Sequence, residues 1–290
     1  MGQITILVTG AAGYVGAAVM QTAKARGHVV HGLVRAQVDL ATDELEPVLD
    51  GVDVVVHCAA SLHGDEALQD RDTVLATQRL IAAMERMIPP PKLVLVSSMG
   101  VYAGDLPPFS MIDETSPLEP DPAERDAYTR AKLAQEAAVA GSGLRHCIAR
   151  VGAVWGPGQK WNAHLGVPIG PVLIRLGSGG EVPLAHLQNV ALALVLAAET
   201  GDGAVNVVDD VRPSPRDYVA VLRRGGWPKL SLPVSWRIID ALCALPLPGG
   251  LLRRPTLRAR MMPRRYSNAR LHDLGWSPHV GFEAGLLSTT

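Results

Sequence analysis

"ITILVTGAAGYVG", residues 4–16, decides how the rest of the chain is read. A short apolar run ends at Gly10, and Gly13 and Gly16 follow at even spacing. An apolar run of this length fits a buried strand. Residues 14–27 carry apolar side chains on a helical period and stop at Gly27, which fits a helix and its terminator. Strand, glycine turn and helix form the context in which this spacing binds a dinucleotide. Gly10 allows the tight turn, Gly13 lets backbone approach a pyrophosphate, and Gly16 lets the helix pack close to the strand. The first helical amides, at Tyr14 and Val15, then face the negative charge.

The pattern continues outward. Residues 28–35, 53–60, 92–98 and 144–151 read as further strands, and 72–87 and 127–140 as helices, the last ended by Gly141. Strands this apolar, separated by helices, imply a parallel sheet covered on both faces. Right-handed crossovers make it doubly wound. Beyond residue 151 the alternation loosens. Residues 155–171 are rich in Gly and Pro and read as an extended loop region, 187–199 as a helix, and 203–210 as one more strand. The expected fold class is α/β: a doubly wound parallel Rossmann sheet with a smaller C-terminal substrate lobe. The expected dinucleotide core is 1–155 plus 187–210, and the substrate lobe 156–186 plus 211–290.

Composition narrows the function. A chain of 290 residues, 48% hydrophobic and 19% charged, buries a sizeable core and is not disordered. A net charge of −1 offers no basic field for nucleic acid, and 4% aromatic content argues against base stacking. Cys58, Cys147 and Cys243 are odd in number and lack CxxC spacing, which points to a reduced, cytoplasmic protein. The N-terminus shows no signal-peptide pattern. The longest apolar stretch, 238–252, is interrupted by Asp240, two prolines and a glycine pair, so no integral membrane segment is expected. His57, Cys58 and His63 lack ligand spacing, and no metal is expected.

The second strand ends Leu33, Val34, Arg35, with no acid until Asp39. An acid at this strand end would bond the ribose hydroxyls of NAD, whereas an arginine accommodates the 2′-phosphate of NADP. Arg35 therefore favours NADP, with NAD as the alternative. Asp39 and Leu40 stand where a short polar side chain reaches the adenine amino group, although Asp39 also suits the start of a helix at 42–49. Ala59 and Ala60 close the third strand with small side chains that leave room for a ligand.

The fourth strand ends in two hydroxyls within "VSSMGVYA", residues 96–103, on the edge that faces the ligand crevice. Thirty residues later "YTRAK" places Tyr128 and Lys132 one helical turn apart on one face. A buried ammonium beside the nicotinamide charge would lower the phenol from its ordinary pKa of about 10. The phenol then exchanges a proton with a substrate oxygen held by a serine hydroxyl, while the cofactor carries the hydride.

In this order the motifs resemble the extended short-chain dehydrogenase/reductase family, which includes the NAD-dependent epimerases and dehydratases. The family's TGxxGxxG resembles residues 9–16, its DxVxHxAA resembles 53–60, its SSxxVYG resembles 97–103, and its YxxxK is "YTRAK". Its RPxxVYGPG resembles 150–158, its HVDDVA resembles 186–191, and its C-terminal signature resembles 274–286. The resemblance implies Ser98 as the catalytic hydroxyl, Tyr128 as acid/base, and Lys132 as its partner and ribose ligand. It also implies a homodimer. Val151 replaces the family's Pro, Thr73 its Asn, Trp155 its Tyr, and Gln188 and Asn189 two acids. Met99 and Gly100 stand where the family's dehydratases carry an Asp–Glu pair, which disfavours dehydration.

The expected function is an NAD(P)-dependent oxidoreductase acting on a secondary alcohol or ketone of a small-molecule substrate. A nucleotide-sugar epimerase with retained NAD is the alternative, and a non-catalytic dinucleotide sensor a distant third. Four features stay open. His186 either faces the pocket or caps a helix, and Arg175 meets a substrate phosphate or solvent. The basic tail 251–265 meets an anionic substrate or a partner, or forms a solvated face. The apolar helix at 234–245 lines a pocket or a dimer contact.

Overall fold

The computed structural model describes residues 2–61, 65–176, 179–242 and 254–288. The parts of the open features at 243–253, together with Cys243 and His63, lie outside the described residues.

Six parallel strands form the central sheet. They are β1 (Thr5–Thr9), β2 (Val29–Leu33), β3 (Val54–His57), β4 (Lys92–Ser98), β5 (His146–Val151) and β6 (Gly203–Val207), in the spatial order β6-β5-β4-β3-β1-β2. Thr9 sits opposite both Leu33 and His57, so β1, β2 and β3 end level with one another. The order reverses between β1 and β3. At such a reversal neighbouring connections leave toward opposite faces and open a crevice at the carboxyl ends of the strands.

Four long helices cover the sheet: α1 (Tyr14–Ala25), α2 (Ala76–Glu85), α3 (Ala127–Ala140) and α4 (Leu187–Glu199). On one face, Val19 and Ala23 of α1 pack with Leu192 and Val195 of α4 over Ile6, Val8 and Val94. On the other, Leu80 and Met84 of α2 and Val139 of α3 pack over Leu7, Val55 and Leu95. Every residue of β3 is buried, whereas β2, at the sheet edge, is largely exposed. Helix α4 is buried along almost its whole length, because Leu271 and Trp276 join the same cluster. A helix apolar all round needs such cover on several sides.

The helix expected at 72–87 begins earlier. It runs as Glu66–Gln69, a wide π-helical turn Asp70–Leu75, and then α2. The helix expected at 42–49 is one turn, Glu46–Leu49. The loop reading of 155–171 is corrected at its end. Gly166–Ile169 and Val172–Arg175 form an antiparallel hairpin, and Leu230–Pro233 adds a parallel third strand. Gly166 (φ 115°) and Gly170 (φ 55°) adopt backbone that other residues avoid, so glycines that read as loop here shape a hairpin. A further short pair joins Ala153–Trp155 to Leu184–His186. Among the described residues no helix is long and apolar enough to cross a membrane.

Candidate active site

The crevice begins at the turn after β1. Gly10 has φ 65°, and a Cβ there would meet the Ala59 backbone at 2.9 Å. A Cβ at Gly16 would run into the Gly10 carbonyl oxygen. The Gly13 amide donates to that oxygen at 2.9 Å, which tightens the turn. No side chain caps the start of α1, and its first turn holds no acid. Its leading amides therefore lack intrahelical partners and carry partial positive charge toward the crevice. This cradle fits a dinucleotide pyrophosphate.

A cavity of about 430 Å³ runs from this turn to the end of β4. Gly10, Gly13, Tyr14, Val15 and Gly16 line one end, and Ala59 and Ala60 the floor. Ser98, Tyr128 and Lys132 line the other end. A second cavity of about 160 Å³ shares Gly10, Arg35, Ala59 and Ala60 with the first, and adds Asp39 and Leu40. Each residue expected from the sequence to bind the cofactor or to catalyse thus borders one continuous cleft.

At the Arg35 end, four charges alternate. Arg35 pairs with Asp72 at 2.9 Å, and Arg71 pairs with Asp72 at 2.5 Å and with Asp39 at 2.6 Å. The Asp72 side chain is buried, whereas that of Arg35 is 60% exposed and free to turn toward a ligand. The Ala41 amide, with Arg71, holds the Asp39 carboxyl below its ordinary range. Asp72 borders the cleft from the π-helical turn, Arg71 pairs with it there, and neither carries a motif that sequence reasoning could find.

At the other end, Asp126 caps α3 by accepting from the Thr129 amide at 3.0 Å, which sets Tyr128 in the first turn. The Ser98 hydroxyl accepts from the Gly100 amide at 3.1 Å and hydrogen-bonds the Tyr128 phenol. Burial pushes the phenol above its ordinary pKa, and Ser98 pulls the other way. Lys132 is buried, and its Nζ donates to the Val96 carbonyl at 2.8 Å and to Gln135 Oε1 at 3.0 Å. Burial pulls this ammonium down to about 8. The expected lowering of the phenol by Lys132 concerns the site with the nicotinamide charge beside it; the protein alone shows a different balance. Desolvation dominates at both groups, and Nζ is directed at Val96.

A buried hydrogen-bond chain extends behind Lys132. Gln135 Nε2 donates to Thr77 Oγ1 at 2.6 Å, and Thr77 donates to the Thr73 carbonyl at 2.7 Å. With its proton spent on that carbonyl, Thr77 accepts from His57 Nε2 at 2.9 Å, and His57 Nδ1 accepts from Thr9 at 2.7 Å. Burial pulls His57 down to about 3, so the imidazole stays neutral. The chain ties Lys132 to the ends of β1 and β3.

His186 is a capping and packing residue. Its Nδ1 accepts from the Gln188 amide at 3.2 Å, and its ring stands edge-on to Trp155 at 4.6 Å. Asn189, where the family has an acid, donates to Asp209 Oδ1 at 2.8 Å. Burial already raises Asp209 to about 6, and a second carboxylate facing it would be repelled. Beyond Ser98 and Tyr128 lies a third cavity of about 150 Å³, bordered by Met99, Gly100, Arg125, Arg260 and Arg264. Arg175 ends a hairpin strand and does not line it.

Residues 6–207 match the NAD dependent epimerase/dehydratase family. A 3-diazoavenalumate denitrifying reductase from a Streptomyces species is 30% identical, over 97% of this chain and 98% of that protein. The UDP-glucose 4-epimerase of Thermus thermophilus, solved with NAD, superposes with a TM-score of 0.75 at 24% identity, over 99% of this chain and 97% of that one. The human epimerase family protein SDR39U1 (isoform 2), solved with NADPH, superposes with a TM-score of 0.71 at 22% identity, over 99% of both chains. These two likenesses concern the fold. With most of its length matched, the chain belongs to the NAD-dependent epimerase/dehydratase family of extended short-chain dehydrogenase/reductase enzymes.

Proposed function

We propose that this enzyme is an NADP-dependent oxidoreductase that interconverts a ketone and a secondary alcohol on a small molecule. The observation that carries the reading is the single cleft, with the glycine turn at one end and Ser98, Tyr128 and Lys132 at the other. In this reading residues 1–155 plus 187–210 hold the dinucleotide, and 156–186 plus 211–290 close over the substrate. The resemblance adds a homodimer, and the cysteine pattern a cytoplasmic location.

When bound, the dinucleotide supplies or takes the hydride. The Tyr14 and Val15 amides at the start of α1 hold its pyrophosphate, and Lys132 its ribose. Arg35, with Arg71 beside it, takes the 2′-phosphate. The Ser98 hydroxyl orients the substrate oxygen, and Tyr128 passes a proton to it or removes one. Burial keeps that proton on the phenol until the oxygen develops charge and becomes the better base.

The Streptomyces relative is named a reductase, and the human structure holds NADPH; both support this reading. The cavity beyond Tyr128, about 150 Å³, is smaller than the roughly 300 Å³ at which sites for drug-sized ligands begin. That size favours a compact substrate over a nucleotide sugar. The reading is tested by releasing and weighing any nucleotide carried by the purified protein, then following NADPH oxidation with a panel of ketones. Little retained nucleotide and NADPH consumption with at least one ketone are expected. Stoichiometric NAD that does not exchange would overturn the reading in favour of the epimerase.

A further inference from the structure

We propose that the cavity beyond Tyr128 binds its occupant through an anionic group, a carboxylate or a phosphate, held by Arg260 with Arg264 beside it. As a statement about the substrate this rests on the reductase reading. As a statement about binding it stands alone.

The arginines of the basic tail divide into two sets. Arg254 and Arg258, one turn apart on the helix Arg254–Met261, both grip Asp240, with N–O distances of 3.0 and 2.8 Å. Leu257 and Met261 turn inward to a small apolar cluster. These four residues are a structural clamp. Arg260 leaves the helix in another direction and borders the cavity, with Arg264 and Arg125 as neighbours.

The three guanidiniums differ in what neutralises them. Arg125 pairs with Glu119 at 2.7 Å and donates to the Tyr102 and Gly100 carbonyls. Arg264 is 3% exposed and donates Nη2 to the Ala103 and Gly104 carbonyls at 2.7 and 3.0 Å. Its Nε is buried without a partner, and no carboxylate among the described residues lies within ion-pair distance. The Arg260 side chain has neither an ion pair nor a hydrogen bond among the described residues, and only its carbonyl is engaged, by His164 Nδ1 at 3.2 Å.

Among the described residues the one carboxylate bordering the cavity, Asp126, accepts from Thr129 and Thr256 Oγ1 and offsets part of the Arg260 charge. With Arg125 cancelled by Glu119, the cavity keeps one positive charge in excess. Arg264 is the buried cation of the pair and Arg260 is exposed at the cavity; a buried cation left without a counter-charge is costly, and an incoming anion removes that cost. The protein packed around them pulls both guanidiniums below their ordinary range, with Asp126 offsetting part of the effect at Arg260. A guanidinium also meets a planar carboxylate or a phosphate through two parallel hydrogen bonds, which fixes an orientation as well as a charge. Ser98 and Tyr128 border the same cavity, so an anion anchored at Arg260 presents its far end to the reacting groups.

The test is the thermal stability of the full chain with benzoate, phenyl phosphate and neutral benzamide, none of which needs turnover. An upward shift in Tm is expected from at least one of the two anions and not from benzamide. The larger of the two anion shifts tells carboxylate from phosphate. Arg260→Met should lose the shift, and Arg260→Lys should keep part of it. Arg260 is chosen because Arg264 also holds backbone and its loss risks the fold. No shift from either anion, an equal shift from benzamide, or a shift that survives Arg260→Met would each overturn the proposal. If the anion shift is present but no ketone consumes NADPH, the reductase reading falls and the anion site stands.

Discussion

The Lys132 ammonium lies 5.8 Å from the centre of the Tyr128 ring, yet it donates to the Val96 carbonyl at 2.8 Å. The two side chains that the YxxxK spacing puts together are neighbours without being hydrogen-bonded partners. Both are desolvated, and each is held by other groups.

Lys132 should therefore reveal itself in the pH dependence of stability. Its folded pKa is about 8, depressed by burial from 10.5. The folded state thus favours the neutral amine. This contribution is fully present above about pH 10.5 and is lost as pH falls through about 8. The ligand-free protein should gain stability between these values, by on the order of 3 kcal/mol for the full shift. Lys132→Met should flatten that segment of the curve in urea unfolding. Parallel curves for the two proteins would show that the ammonium is not desolvated.

Tyr128→Phe removes only the phenolic oxygen. Turnover should fall by about a hundred- to ten-thousand-fold, the range for loss of a general acid or base. NADPH binding, followed by fluorescence titration, should stay close to that of the unaltered protein. Substantial residual turnover would take Tyr128 out of the reaction.

Arg35→Ala should weaken NADPH by about tenfold, the low end for a charged hydrogen bond at an exposed site, and leave NADH nearly unchanged. Arg71→Ala should do the same more weakly, because Arg71 is already paired with Asp39 and Asp72. Equal losses for the two cofactors would exclude a 2′-phosphate contact at Arg35.

Gly16→Ala brings a methyl group against the Gly10 carbonyl. Close packing of the helix on the turn leaves no relief, and overpacking of this kind costs about 1–3 kcal/mol. Both the melting temperature and NADPH affinity should fall. A variant with unchanged affinity would separate the turn from the ligand.

The sheet, its two helical layers and the cleft residues were legible because each sits in a local pattern. The apolar run of β1, the glycine spacing after it and the four-residue step from Tyr128 to Lys132 are all readable within one element. The hairpin Gly166–Ile169 with Val172–Arg175 was not, because its glycines signal a turn and its strands are too short to show alternation. Nor were Arg71, Gln135 and Thr77, whose importance depends on distant partners: Asp39 for Arg71, Thr77 for Gln135 and His57 for Thr77. The tail shows the same limit. Its arginines look equivalent in sequence, and only the position of Asp240 separates Arg254 and Arg258 from Arg260.

The wide turn Asp70–Leu75 has a consequence for how this cleft could change over generations. Helical residues advance about 100° each around the axis, so one residue more or less in that turn rotates everything before it relative to α2. Deleting a single codon there would swing Asp72 away from Arg35 and carry Arg71 off Asp39, while Leu80 and Met84 kept their places in the core. The charge pattern around Arg35 is therefore adjustable by length as well as by substitution, at a site where the sheet would not register the change.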